Sequence, residues 1–144
     1  MKTLLIIAAL AAAFSLHAAK HQRSAAVTEW RNAHSAGISR ELRLLIDSRE
    51  CRRAAKADLG DAGLFELFAR LLKKHFCNYD RKTVVSALRL MGELVPAVDP
   101  VRAATDLTHI RSRVEIAADK EPETWRPVLE IIDGMRDRLI ADYR

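Results

Sequence analysis

From Ser24 to the C-terminus the apolar residues return at every third or fourth position, the spacing of one face of an α-helix, and no stretch alternates in the manner of a strand. Val27 and Trp30 mark a first short helix, which the run His-Ser-Ala-Gly at 34–37 ends. Ser39 can cap a second helix, predicted from Arg40 to about Ala57, with Ile38, Leu42, Leu45 and Ile46 on one side. The run Asp-Leu-Gly-Asp at 58–61 reads as a turn, with Asp61 capping a third helix to about Phe76. Leu64, Phe65, Leu67, Phe68, Leu71, Leu72 and Phe76 give that helix a wide apolar face.

A fourth helix follows Asp80, carries Val84, Leu88, Met91 and Val95, and stops before Pro96. Asp99-Pro100 starts a fifth: a capping carboxylate, then a proline where no amide donor is needed. Its stripe is Ala103, Leu107, Ile110, Val114 and Ala117. Thr124 is the expected cap of the last helix, which places Pro127 in its first turn. Trp125, Val128, Leu129, Ile132, Met135, Leu139 and Tyr143 form its apolar line. One-sided stripes joined by short connectors predict an all-α fold: a single-domain antiparallel helical bundle of about five or six helices.

The first 19 residues follow a different pattern. Lys2 gives a short positive start, Thr3 to Phe14 is an unbroken apolar or small run, and small residues gather at Ser15, Ala18 and Ala19. That order is expected of a secretory signal peptide over residues 1–19, leaving a bundle domain over 20–144. The competing expectation is an uncleaved membrane anchor, for which the cations Lys20, Arg23 and Arg31 would hold the C-terminal part in the cytoplasm. With cleavage the location is periplasmic or secreted; with an anchor it is the inner membrane.

At 49% hydrophobic and 30% charged, the 144-residue chain is globular in composition, not disordered. Its charge is lopsided. Residues 20–92 hold 15 Lys and Arg against 8 Asp and Glu, a net of +7, whereas residues 93–144 hold 8 against 11, a net of −3. The sharpest feature is RECRRAAK at 49–56, where Arg49, Arg52, Arg53 and Lys56 fall on one helix face. On the predicted helix this turns an apolar stripe into a cationic one part-way along. Two accounts compete: a solvated helix end favoured by the C-terminal dipole, or a face for an acidic partner. Arg70, Lys73 and Lys74 form a second basic group, expected on a solvated face.

In an oxidising compartment Cys51 and Cys77 are candidates for one disulfide. A simple hairpin about Leu59-Gly60 opposes it, since it leaves the two sulfurs offset by roughly 13 Å along the helices, and a bridge needs Cα atoms within about 7 Å. Asp106 and His109 have the carboxylate-x-x-His spacing of half a di-iron site but lie off the apolar stripe. His75 falls in the line of the third helix's apolar face and is expected to be a satisfied core histidine. No metal site and no cofactor is expected, and no catalytic motif such as Gly-x-Ser-x-Gly or a phosphate-binding glycine loop occurs.

The basic half has no aromatic residues interleaved with its arginines for stacking, so nucleic acid is not the expected partner. The leading expectation is an exported, non-enzymatic helical protein that binds another protein with an acidic surface in the bacterial envelope: an inhibitor or immunity factor, a secretion accessory or an adaptor. The alternatives are a membrane-anchored cytoplasmic module using its basic face on anionic lipid or nucleic acid, and an enzyme whose site is assembled only in space.

Overall fold

The computed structural model describes residues 25–143, the side chain of the last excepted, and every element among them is helical. The leader, and with it the expectation of a signal or anchor over 1–19, lies outside the described residues. Helix α1 covers 25–36 and ends as a Schellman turn. Gly37 takes φ +65°, its amide donates to the His34 carbonyl, and the Ile38 amide donates to that of Ala33. Helices α2 (Arg40–Asp47), α3 (Arg49–His75), α4 (Arg81–Leu94), α5 (Pro100–Lys120) and α6 (Pro122–Tyr143) follow.

The predicted second helix is not continuous. Ser48 leaves the helical region at φ −113°, ψ 112°, and its hydroxyl accepts from the Cys51 amide at 3.2 Å. It therefore closes α2 and caps α3. Serine competes well for this position because its short side chain reaches the free amides of a starting helix. Ser39, by contrast, makes no side-chain capping bond.

Helix α3 is itself broken at Gly60, where φ 75° and ψ 172° fall in a region that only glycine adopts without strain. The arms 49–59 and 61–75 meet at this kink, and Arg49 of one and Phe68 of the other border the same cavity. Gly63 permits the close turn: a Cβ there would meet the Leu59 Cβ at 2.9 Å. The turn predicted over 58–61 is thus present as a kink at Gly60.

Asp80 and Asp99 cap as expected, accepting from the amides of Thr83 at 2.9 Å and Arg102 at 3.2 Å. The last helix starts earlier than predicted. Pro122 opens it directly after Glu121, Thr124 lies inside it, and Pro127 sits in the helix body. The chain turns within one residue here because Pro122 needs no amide partner at a helix start.

Helices α5 and α6 pair as a hairpin, α6 also packs on α4, and α3 packs on α2, α4 and α5. The shared core holds Phe65, Phe68, Leu72, Leu88, Met91, Leu107, Ile110 and Ile132, all fully buried. Polar ties between helices surround it. Arg111 holds Asp133 through Nε–Oδ1 at 2.7 Å and Nη2–Oδ2 at 3.3 Å, and Lys73 meets Asp106 at 3.1 Å.

Both cysteines are free thiols. The disulfide considered from the sequence is absent, because one cysteine is enclosed in the fold and the other lies at its surface. Cys51 is buried, with Sγ donating to the Ala26 carbonyl at 3.3 Å, whereas Cys77 is exposed in the short 3-10 turn Phe76–Asn78.

Candidate functional site

Arg49, Arg52, Arg53 and Lys56 all line one open cavity of about 420 Å³. One wall is the first arm of α3. Leu64 and Phe68 from the second arm, with Leu90 and Leu94 of α4, make the apolar part, and Glu93 is the one carboxylate among the lining residues. The Gly60 kink and the packing of α4 on α3 create this concavity.

The break at Ser48 changes the electrostatics of the stripe. Arg49 and Arg52 stand at the start of a helix and not at its end, whereas Lys56 lies in the last turn of the arm 49–59. Arg49 and Arg52 lie in the first turn of α3, where the helix dipole favours anions and works against a cation. A helix-end dipole therefore does not account for Arg49 and Arg52.

The four cations are not equivalent. Arg52 reaches back to the end of α2 and donates from Nη1 to the carbonyls of Leu45 at 3.0 Å and Ile46 at 2.6 Å. It satisfies carbonyls that a helix end leaves open, so the fold itself uses it. Lys56 stands 3.6 Å from Asp61, an exposed and weak pair. Arg49 and Arg53 are exposed, and among the described residues neither has an ion-pair partner. The cavity thus presents two uncommitted guanidinium groups and a loosely held ammonium above apolar side chains.

A second polar cluster was not anticipated from the sequence. Glu41 is 2% exposed, and its Oε2 accepts from Trp30 Nε1 at 2.9 Å and lies 2.7 Å from His34 Nδ1. The Trp30 and His34 rings stack at 5.6 Å. The signal was present: Glu41 is four residues before the buried Leu45, and Trp30 and His34 are likewise four apart. Those spacings place each pair on one face. This cluster locks α1 to α2. The Tyr79 hydroxyl donates to the Ser39 carbonyl nearby at 3.0 Å. Burial first, and the Glu41 carboxylate second, keep that phenol protonated well above its ordinary range.

His75 is only partly buried, and its Nε2 donates to the Gly37 carbonyl at 3.2 Å. It closes the turn after α1 from the end of α3, so it is a satisfied histidine at the margin of the core. Of the second basic group, Lys73 is engaged by Asp106, while Arg70 and Lys74 are exposed. That contact also occupies Asp106, and His109 is exposed. Among the described residues no three His, Cys, Asp or Glu side chains converge as metal ligands, and no helix is long and apolar enough to cross a membrane.

Compared with known proteins, the chain matches no family model, and no curated protein or solved structure is detectably similar to it.

Proposed function

We propose that this chain is an exported, non-enzymatic helical protein that binds an acidic surface of another protein in the bacterial envelope, through the cavity edged by Arg49, Arg53 and Lys56. One observation supports the reading: two exposed arginines, Arg49 and Arg53, line one cavity, and among the described residues neither has an ion-pair partner. Folding gives no reason to gather cations at a helix start, and departures from local rules of this kind concentrate at functional sites. Complementary charge would speed encounter and select the partner, and burial of the half-buried Leu90 under the partner would add affinity.

Export rests on the leader. N-terminal sequencing of the mature protein is expected to start near Ala19 or Lys20; an intact Met1 overturns it. For binding, the immobilised protein is incubated with envelope extract alongside an Arg49→Glu/Arg53→Glu variant. The expected result is salt-sensitive capture by the native chain, lost in the variant, with an unchanged circular dichroism spectrum. Equal capture by both overturns the role of this face.

A further inference from the structure

A second cavity, of about 480 Å³, is lined from the Phe76–Asn78 turn, the start of α4 and the turn between α5 and α6. Its charge differs from that of the cavity described above. Arg81, Arg113 and Lys120 line it with Asp80 and Glu121, three cations to two carboxylates, an excess of one positive charge. The cavity of the basic stripe has four cations to one carboxylate, an excess of three. Asp80 is moreover engaged by the Thr83 amide, which it caps at 2.9 Å. Arg81, Arg113 and Lys120 are exposed, and among the described residues none of them has an ion-pair partner.

This cavity also has open apolar surface. Ile116 is 60% exposed, more than any other large apolar residue among those described. Arg113, Ile116 and Lys120 lie at i, i+3 and i+7 of α5, so one helix face presents an apolar side chain between two cations. Phe76 and Trp125 also line the cavity, with ring centroids 5.0 Å apart, but both are buried, so the open apolar surface is chiefly that of Ile116. One isoleucine falls far short of the ~800 Å² that a stable protein interface takes from each partner, whereas the volume falls within the ~300–1,000 Å³ of small-molecule sites. We infer that this cavity binds a small amphipathic anion, with its single acidic head among Arg81, Arg113 and Lys120 and its apolar body on Ile116. One negative charge cancels the local excess, and further charges would meet Asp80 and Glu121. A neutral apolar molecule would strip water from the cations and pair none of them, which is costly.

The chain carries its own reporter for the test. Cys77 is exposed and lines this cavity, whereas Cys51 is buried. The uncharged reagent N-ethylmaleimide therefore alkylates Cys77 and spares Cys51, which intact mass and peptide mapping follow. The probe is dodecanoate below its micelle concentration. Hexanoate has the same head and a shorter tail, and dodecyltrimethylammonium has the same tail and the opposite charge. Dodecanoate slows alkylation of Cys77 about tenfold at about ten times its Kd, and the other two at the same concentration leave it unchanged. By calorimetry, Arg113→Ala/Lys120→Ala and Ile116→Ser each weaken dodecanoate binding about fivefold to tenfold. Val101→Ser, the same kind of change at another exposed apolar residue, leaves binding as it was.

Absence of protection at Cys77, or undiminished binding by Arg113→Ala/Lys120→Ala or by Ile116→Ser, overturns the inference. So does equal protection by dodecyltrimethylammonium, which would make the site merely apolar, or by hexanoate, which would make it merely cationic. Alkylation of Cys51 on adding dodecanoate would mark a general loosening of the fold and also overturns it. The Arg49→Glu/Arg53→Glu variant keeps full dodecanoate binding, because those arginines line the other cavity. Loss of binding in that variant would move the site there and overturn this inference, without bearing on the capture of a protein partner.

Discussion

Single residues show where sequence patterns stop being informative. Glu41 looks like an ordinary polar position in RELRLLID, yet it is buried, because Trp30 and His34 arrive from another helix to meet its carboxylate. Position on a helix face was readable; the partner was not. Trp30→Phe keeps an aromatic side chain but a smaller one, and removes one donor to a buried carboxylate, so chemical denaturation should show a loss of at least about 1.5–3 kcal/mol.

Two carboxylates, the exposed Asp80 and the half-buried Asp133, contribute to the acid limb of stability. Hydrogen bonds from the Thr83 side chain, and then from its amide, hold Asp80 below the usual carboxylate range. The Arg111 guanidinium does the same for Asp133. A carboxyl depressed in the folded state stabilises above its unfolded value and loses that contribution as pH falls through the folded one. Tm is therefore flat near neutrality and drops below about pH 4. Asp133→Asn shallows that drop; an identical acid limb in the variant would remove Asp133 from the account.

At the scale of elements, the apolar stripes of α4 and α5 were legible, and so were their aspartate caps, because a one-sided stripe next to a capping carboxylate has few alternatives. Boundaries failed where two signals competed. Ser48 interrupts a continuous helical pattern through a capping bond to Cys51, which outweighs the propensity of the flanking residues. Pro122 starts α6 in place of Thr124 because the tight α5–α6 turn needs a residue without an amide donor.

The Gly60 kink was visible as a turn, but the cavity that it builds needs α4 packed alongside. Gly60→Ala forces a side chain into a glycine-only conformation and should cost about 1–3 kcal/mol in denaturant melts. Arg52 and Arg53 make a matched comparison of equal charge. Arg52→Ala removes the bonds to the end of α2 and should lower stability by about 1–2 kcal/mol. Arg53→Ala should stay within about 0.5 kcal/mol. Equal effects would mean that the stripe serves the fold alone.

At the scale of the whole molecule, the net +7 of residues 20–92 against the net −3 of residues 93–144 was plain in the sequence and says only that a partner would be steered to one half. The concentration of that charge at one concave place comes from tertiary packing and could not be read from spacing. The same packing separates cations that the fold uses, Arg52 and Lys73, from those it leaves uncommitted, Arg49 and Arg53.

The most direct test is a titration of the 15N-labelled chain with an acidic peptide, followed by amide NMR shifts. The account predicts that the shifted amides cluster at residues 49–56, around Leu64 and Phe68, and at the end of α4. Shifts centred elsewhere, or scattered evenly over the basic half and abolished by modest salt, would contradict it.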